Sequence, residues 1–161
     1  MNKPIKRHPA LQPLSRDHHF GLLLCWKIRE GFRLGVETKR IRDYAQWFWR
    51  EHLQSHFKEE EEAFVSVLGT DHPLMVQLFR EHKELKDLFA FPRENKDEDT
   101  LSEIKEKLNQ HIRFEERVLF RKIQETATEE QLKVVESHHH DDFEDNWKDE
   151  FWIKKNEDEN L

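Results

Sequence analysis

The sequence predicts an all-helical protein, on three observations. Gly is rare, at 4 residues, and Val and Ile do not fall into alternating runs, which disfavours sheet. Apolar residues recur at steps of three and four along most of the chain, the period of a helix with one buried face. Ser, Thr and Gly stand at the ends of these stripes, where helices take their caps and stops.

The 161 residues are enough for one domain. Residues 1–13 carry Pro4, Pro9 and Pro13 and read as an extended N-terminal arm. A first helix starts near Ser15, a cap, and runs to Arg33, with Gly31 and Gly35 ending it. A second begins at Thr38 and extends to Leu68, with an inward stripe of Ile41, Ala45, Phe48, His52, His56, Glu60 and Phe64. Trp47 and Trp49 flank that stripe and pack between helices. Gly69 stops the second helix, and Pro73 near N1 opens a third carrying Leu74, Leu78, His82, Leu85 and Phe89. Phe91-Pro92 ends it, and the polar residues 93–99 form a loop.

Thr100-Leu101-Ser102-Glu103 is a capping box for a fourth helix, with Leu101, Ile104, Leu108, His111, Glu115, Val118 and Leu119 inward, ending near Gln124. Thr128-Glu129-Glu130-Gln131 is another capping box and opens a fifth helix with Leu132 and Val135. That helix is expected to continue through Phe143, Trp147, Phe151 and Trp152, an apolar edge for the other helices or for a partner protein. Residues 126–161 thus form a C-terminal helix with an acidic tail. His138–His140 read as solvated.

The net charge is −7, and no basic patch is interleaved with aromatics, which argues against nucleic acid. No apolar run reaches membrane-spanning length, and the basic N-terminus lacks the apolar core of a secretory signal. Cys25 stands alone, so no internal disulfide forms. A reducing, cytoplasmic setting away from membranes is expected.

Chemistry concentrates in two near-copies of one motif. His56-Phe57-Lys58-Glu59-Glu60 and His111-Ile112-Arg113-Phe114-Glu115 each place a glutamate four residues after a histidine, on one helix face. Two lone histidines alternate with them: His19, followed by Leu22, Cys25 and Trp26, and His82, followed by Leu85, Leu88 and Phe89. The order is lone His, His-x-x-x-Glu, lone His, His-x-x-x-Glu, as if each half supplied the same set. His18 and His19 lie roughly 100° apart on a helix, so one of them points squarely at a shared site. His19 has the better apolar register, and His18 is the alternative. His52, one turn before His56, reads as structural support, and Cys25 as a small core residue.

A single buried histidine is ordinarily a hydrogen-bonded core residue. Four histidines and two glutamates at matched registers are different, because buried carboxylates without positive partners cost several kcal/mol each. The inward stripes offer no Lys or Arg, so a cation is the economical partner. Imidazole with carboxylate suits iron, manganese or zinc. Glutamates meeting at the axis can each bridge two metals, with two histidines completing each metal and positions left open for a small molecule. A closed structural zinc site would be four-coordinate and often thiolate-rich.

The ordered set of His19 in Ser15-Arg16-Asp17-His18-His19, His56/Glu60, His82 in Arg80-Glu81-His82, and His111/Glu115 resembles the hemerythrin-like, or HHE cation-binding, domains over roughly residues 14–125. The resemblance implies an up-down-up-down four-helix bundle around two non-haem irons, with zinc or manganese as substitutes in a purified sample. Glu60 and Glu115 would bridge, His19 and His56 would hold one iron, and His82 and His111 the other. Oxygen-carrying members have a fifth histidine where this chain has Leu78, and an aspartate at +5 where it has Glu115 at +4. The four-His, two-Glu set looks more like bacterial hemerythrin-like proteins and the iron-sensing or iron–sulfur-repair relatives. The implied function is to bind or sense O2, NO, iron or redox state. The alternative is a di-iron enzyme or repair protein that turns over peroxide or NO or delivers iron, with His52 and Tyr44 as the available proton relays.

Overall fold

The computed structural model describes residues 6–140 and 143–154, and these residues are helical with no strand. The elements are α1 (Gln12–Arg33), α2 (Thr38–Phe48), α3 (Gln54–Leu68), α4 (Pro73–Phe89), α5 (Asp97–Phe114), α6 (Phe120–Thr126) and α7 (Glu129–Ser137). A π-helical turn, Trp49–Leu53, joins α2 to α3, and a second, Glu115–Leu119, joins α5 to α6. The second and fourth predicted helices are therefore each one rod interrupted by a π turn, a feature often found at functional sites.

Helix α1 packs along α5, α5 along α4, and α4 along α3, with α1 closing onto α2 and α3. Two apolar clusters fill the space between the rods. One contains Leu24, Ile28, Ile41, Phe48, Leu85, Leu101 and Leu108. The other contains Leu14, Phe64, Met75, Leu78, Phe120 and Ile123. Polar residues lie between the two, and they form the site.

The helix ends differ from expectation in instructive ways. Helix α1 starts at Gln12, with Pro13 in its first turn, so the predicted arm is shorter. Residues 6–11 pack over the end of the rods: Ala10 and Leu11 are buried, and Arg7 donates to Gln124 Oε1 at 2.8 Å and to the Glu116 backbone oxygen at 2.7 Å. Gly31 lies inside α1 rather than ending it. A Cβ there would meet Ile41 Cδ1 at 2.6 Å and Phe151 Cε2 at 3.2 Å, so only glycine allows this approach. Gly35, at φ +67°, makes the turn that follows.

Helix α5 begins at Asp97, three residues before the predicted box. Asp97, Glu98 and Asp99 fill its first turn, where the helix dipole favours acids, and Thr100 is buried. The Thr128–Gln131 capping box forms as expected, with Gln131 N donating to Thr128 Oγ1 at 3.1 Å and Thr128 N to Gln131 Oε1 at 2.9 Å.

Helix α7 ends at Ser137, and residues 143–154 are not helical, contrary to the sequence reading. Their aromatic residues nevertheless dock on the rods of this same chain. Phe151 is 2% exposed, and Phe143, Trp147 and Trp152 are partly buried against the first apolar cluster. Buried Lys27 clamps the segment: its Nζ donates to Asp145 Oδ2 at 2.8 Å and to Tyr44 Oη at 3.0 Å, and lies 3.7 Å from the Trp152 ring. Arg40 adds a two-pronged pair with Asp149, at 2.6 and 2.9 Å. The acidic tail falls at residues 155–161, outside the described residues. No helix among the described residues is long and apolar enough to cross a membrane.

Candidate metal centre

Four rods each bring one histidine inward, and the histidine from α1 is His18. His18 is 5% exposed, whereas His19 lies on the exposed face of α1 with Leu22 and Trp26. The buried stripe of α1 is Leu14, His18, Gly21, Cys25 and Ile28. His19, predicted as a site residue, is thus turned away from the cluster, and its alternative takes the place. The other five predicted residues, His56, Glu60, His82, His111 and Glu115, converge with His18.

Two groups of four share both glutamates. His18, His56, Glu60 and Glu115 form one, and Glu60, His82, His111 and Glu115 form the other; within each group the ligand atoms lie within 4.8 Å of one another. A cation with bonds of about 2.0–2.2 Å sets its ligand atoms roughly 3–4 Å apart, so each group has the right spread for one ion. The Nε2 atoms turn inward. His56 Nε2 is 3.0 Å from Glu60 Oε1, and His18 Nε2 is 3.3 Å from Glu115 Oε2. His82 Nε2 is 3.6 Å from Glu60 Oε1 and 3.7 Å from Glu115 Oε1, and His111 Nε2 contacts Glu115 Oε1. Among the described residues, every ion-pair partner of these two fully buried glutamates is a histidine.

Each Nδ1 points the other way and meets a second carboxylate. His18 Nδ1 pairs with Glu116 at 2.7 Å, His56 with Asp17 at 3.0 Å, His82 with Glu61 at 3.1 Å and His111 with Glu81 at 2.7 Å. With Nδ1–H donating outward, Nε2 presents its lone pair inward, the tautomer a metal-ligating histidine needs. Every one of these carboxylates is a chain neighbour of a central residue, yet it serves the next rod. Asp17 on α1 holds the histidine of α3, Glu61 on α3 that of α4, Glu81 on α4 that of α5, and Glu116, just past α5, that of α1. The four bonds close a ring. Sequence reasoning missed all four. The available signal was an acid directly beside each predicted ligand or its neighbour.

The electrostatics of the centre are set by the contacts between its acids and imidazoles. Burial pushes the Glu60 carboxyl up, but the His56 charge and hydrogen bonds from His56 and His82 overcome it and hold Glu60 far below the usual carboxylate range. Burial pushes His56 down, but the Glu60 charge and the Asp17 and Glu60 hydrogen bonds raise it to about 10. Burial lowers His111 to about 4, only partly offset by Glu81. The geometry of these close contacts is nevertheless poor: Glu60 Oε1 and Oε2, Glu115 Oε1, His82 Nε2 and His111 Nε2 are buried and face one another without a well-formed hydrogen bond. Buried polar atoms are rarely left so, and five in one place fit a pair of cations.

His52 is buried but does not join the centre. Its ring lies 4.3 Å from Phe143 and 5.8 Å from His56, and burial lowers it to about 4. Tyr44 is tied to Lys27 and Asp145, away from the cluster. Neither expected proton relay reaches the centre. His139, expected in solvent, donates to Asp17 Oδ2 at 3.0 Å, and its side chain is 7% exposed. Asp17 therefore serves both His56 and the segment following α7.

A small cavity borders the centre. Polar Asp17, His18, His56, His111 and Glu115 line it together with Gly21, Leu53, Phe57, Leu108 and Ile112. The centre of a water-sized sphere can move over about 10 Å³ of it, close to the limit for holding one water.

Neither family models nor curated proteins nor solved structures give a match to this chain.

Proposed function

We propose that the chain is a hemerythrin-like protein: an up-down-up-down four-helix bundle, with α7 and the segment after it as an addition, that holds two iron ions. Glu60 and Glu115, common to both groups, would be shared between the ions, with His18 and His56 holding one and His82 and His111 the other. The observation that carries this reading is the convergence of six buried residues, four of which (Glu60, Glu115, His82 and His111) hold five buried ligand atoms without a hydrogen bond of good geometry, and whose four imidazoles are each braced from behind by a carboxylate. Imidazole with carboxylate suits iron, and manganese or zinc would occupy the same donors in a sample where iron is scarce.

Bound there, a pair of irons supplies a redox-active centre with positions open to a small ligand. The residues of this chain decide which ligand reaches it. The apolar wall of Gly21, Leu53, Phe57, Leu108 and Ile112 leaves room for no more than a very small ligand. It offers no hydrogen-bond donor to an organic substrate. A diatomic molecule, O2 or NO, fits these limits, and binding or sensing it is the function we infer.

Metal analysis of the purified chain tests the first half: two transition-metal ions per chain are expected, and fewer after Glu60→Ala. A chain that takes up no transition metal near stoichiometric level, under reducing conditions with iron supplied, would remove the reading. A gas titration of the iron-loaded protein, followed by ultraviolet–visible absorption, tests the second half.

A further inference from the structure

Away from the centre, a pocket of about 670 Å³ opens between α3, the π turn before it, and α4. That volume lies within the range of roughly 300–1,000 Å³ typical of small-molecule sites. Its lining is unusual for a chain of net charge −7. Arg50, Lys58, Lys83 and Lys86 all border it, against one carboxylate, Glu61, which is already engaged by His82. Lys83 is paired with Asp87 at 3.0 Å and Lys58 only loosely with Glu62 at 4.0 Å. Arg50 and Lys86 have no ion-pair partner among the described residues. The pocket is therefore a local concentration of positive charge with two cations to spare.

Its other walls are aromatic. Trp49 is held by stacking on Phe89, with centroids 5.2 Å apart, and Phe57 stacks on His82 at 3.8 Å with the planes 8° apart. Rigid aromatic surface with unpaired cations at its edge suits a flat ring that carries an anion. Phosphate alone would leave the aromatic surface and most of the volume unused.

We propose that this pocket binds a planar aromatic molecule bearing a phosphate, of mononucleotide size, with the phosphate on Arg50 and Lys86 and the ring against the partly exposed Trp49. His82 forms part of the floor, and its Nε2 faces Glu60 and Glu115. A ligand seated here lies one imidazole away from the proposed cation pair. That significance rests on the metal reading, whereas the binding itself does not.

Flavin mononucleotide is a suitable probe, because its fluorescence reports binding directly. Titrated into the full chain, with and without iron, it is expected to bind one-to-one, more weakly as salt is raised. Binding is expected to be about tenfold weaker for riboflavin, which lacks the phosphate, and for an Arg50→Ala/Lys86→Ala double variant, the loss of two exposed charge contacts. Both side chains are exposed, so the variant should keep its fold, which circular dichroism checks. Riboflavin binding as tightly as flavin mononucleotide, an unchanged affinity in the double variant, or no saturable binding would each overturn the proposal. Two irons per chain without flavin mononucleotide binding removes this inference alone; flavin mononucleotide binding to a chain that takes up no metal leaves it standing and removes the metal reading.

Discussion

Asp17→Asn probes the ring of carboxylates behind the histidines. The substitution keeps the shape of the side chain and removes its charge. Asp17 Oδ2 accepts from His56 Nδ1 and from His139 Nε2, both at 3.0 Å, and is not itself part of the two groups of inward-facing atoms. Loss of such a bracing carboxylate typically lowers metal affinity 10- to 100-fold, about 1.4–2.7 kcal/mol. The structure adds a direction. Asp17 braces His56, which belongs with His18, while His82 and His111 keep Glu61 and Glu81. Only one of the two ions should weaken. Competition of the reduced protein with a chromophoric chelator resolves this as a two-step isotherm in which one step shifts. His139→Ala is the control, since it leaves the Asp17–His56 bond in place and should shift neither step by much. Equal weakening of both steps, or an isotherm identical to that of the unaltered chain, would refute the bracing argument.

Three further outcomes are expected. With no cation bound, His52 and His111 sit at about 4, below their ordinary 6.5; the unfolded chain takes up two protons that the folded one refuses. Stability should therefore fall as pH drops from 6.5 toward 4, by roughly 2.7 kcal/mol per pH unit mid-window. His56, raised from 6.5 to about 10, acts oppositely: its contribution is full below 6.5 and lost as pH rises toward 10, so urea midpoints should peak near pH 6.5, and a flat profile from 5 to 9 would contradict this. Gly31→Ala places a methyl against Ile41 and Phe151, and denaturant titration should record a loss of about 1–3 kcal/mol. Asp145→Ala strands the buried Lys27 charge, with an expected cost of about 3–5 kcal/mol; limited proteolysis should then cut within residues 143–154 first, and unchanged resistance there would show that the clamp is not what holds the segment.

Much of this arrangement was legible in the chain, and the misreadings share causes. The His-x-x-x-Glu pairs announced themselves because glutamate on a buried stripe needs a reason. His18 lost to His19 because an apolar stripe was sought in large side chains. Leu22 and Trp26 suggest a buried face, yet they are 43% and 40% exposed. The true face of α1 runs through Gly21, whose missing side chain lets Ile112 approach to 3.0 Å of where a Cβ would stand. A glycine chosen for close packing reads as a gap in a hydrophobic pattern. The aromatic spacing of the segment after α7 suggests helix, but a buried ion pair to Asp145 and a half-exposed one to Asp149 hold it in another conformation. Such pairs join residues more than a hundred positions apart, and no local pattern reports them.

The two π turns account for one more feature of the sequence. Phe48, His52, His56, Glu60 and Phe64 are all buried, at five consecutive positions four residues apart. In an uninterrupted α-helix each such step overshoots a turn by about 40°, so the far members would swing out of the interior. The wider turn at Trp49–Leu53 absorbs part of that drift, as the turn at Glu115–Leu119 does for His111, Glu115, Leu119 and Ile123. Winding the same residues of Trp49–Leu53 as ordinary α-helix, with none removed, would rotate α2 away from the side that His56 and Glu60 face. The chain would remain helical, yet its apolar half and its ligand-bearing half would no longer face the same way.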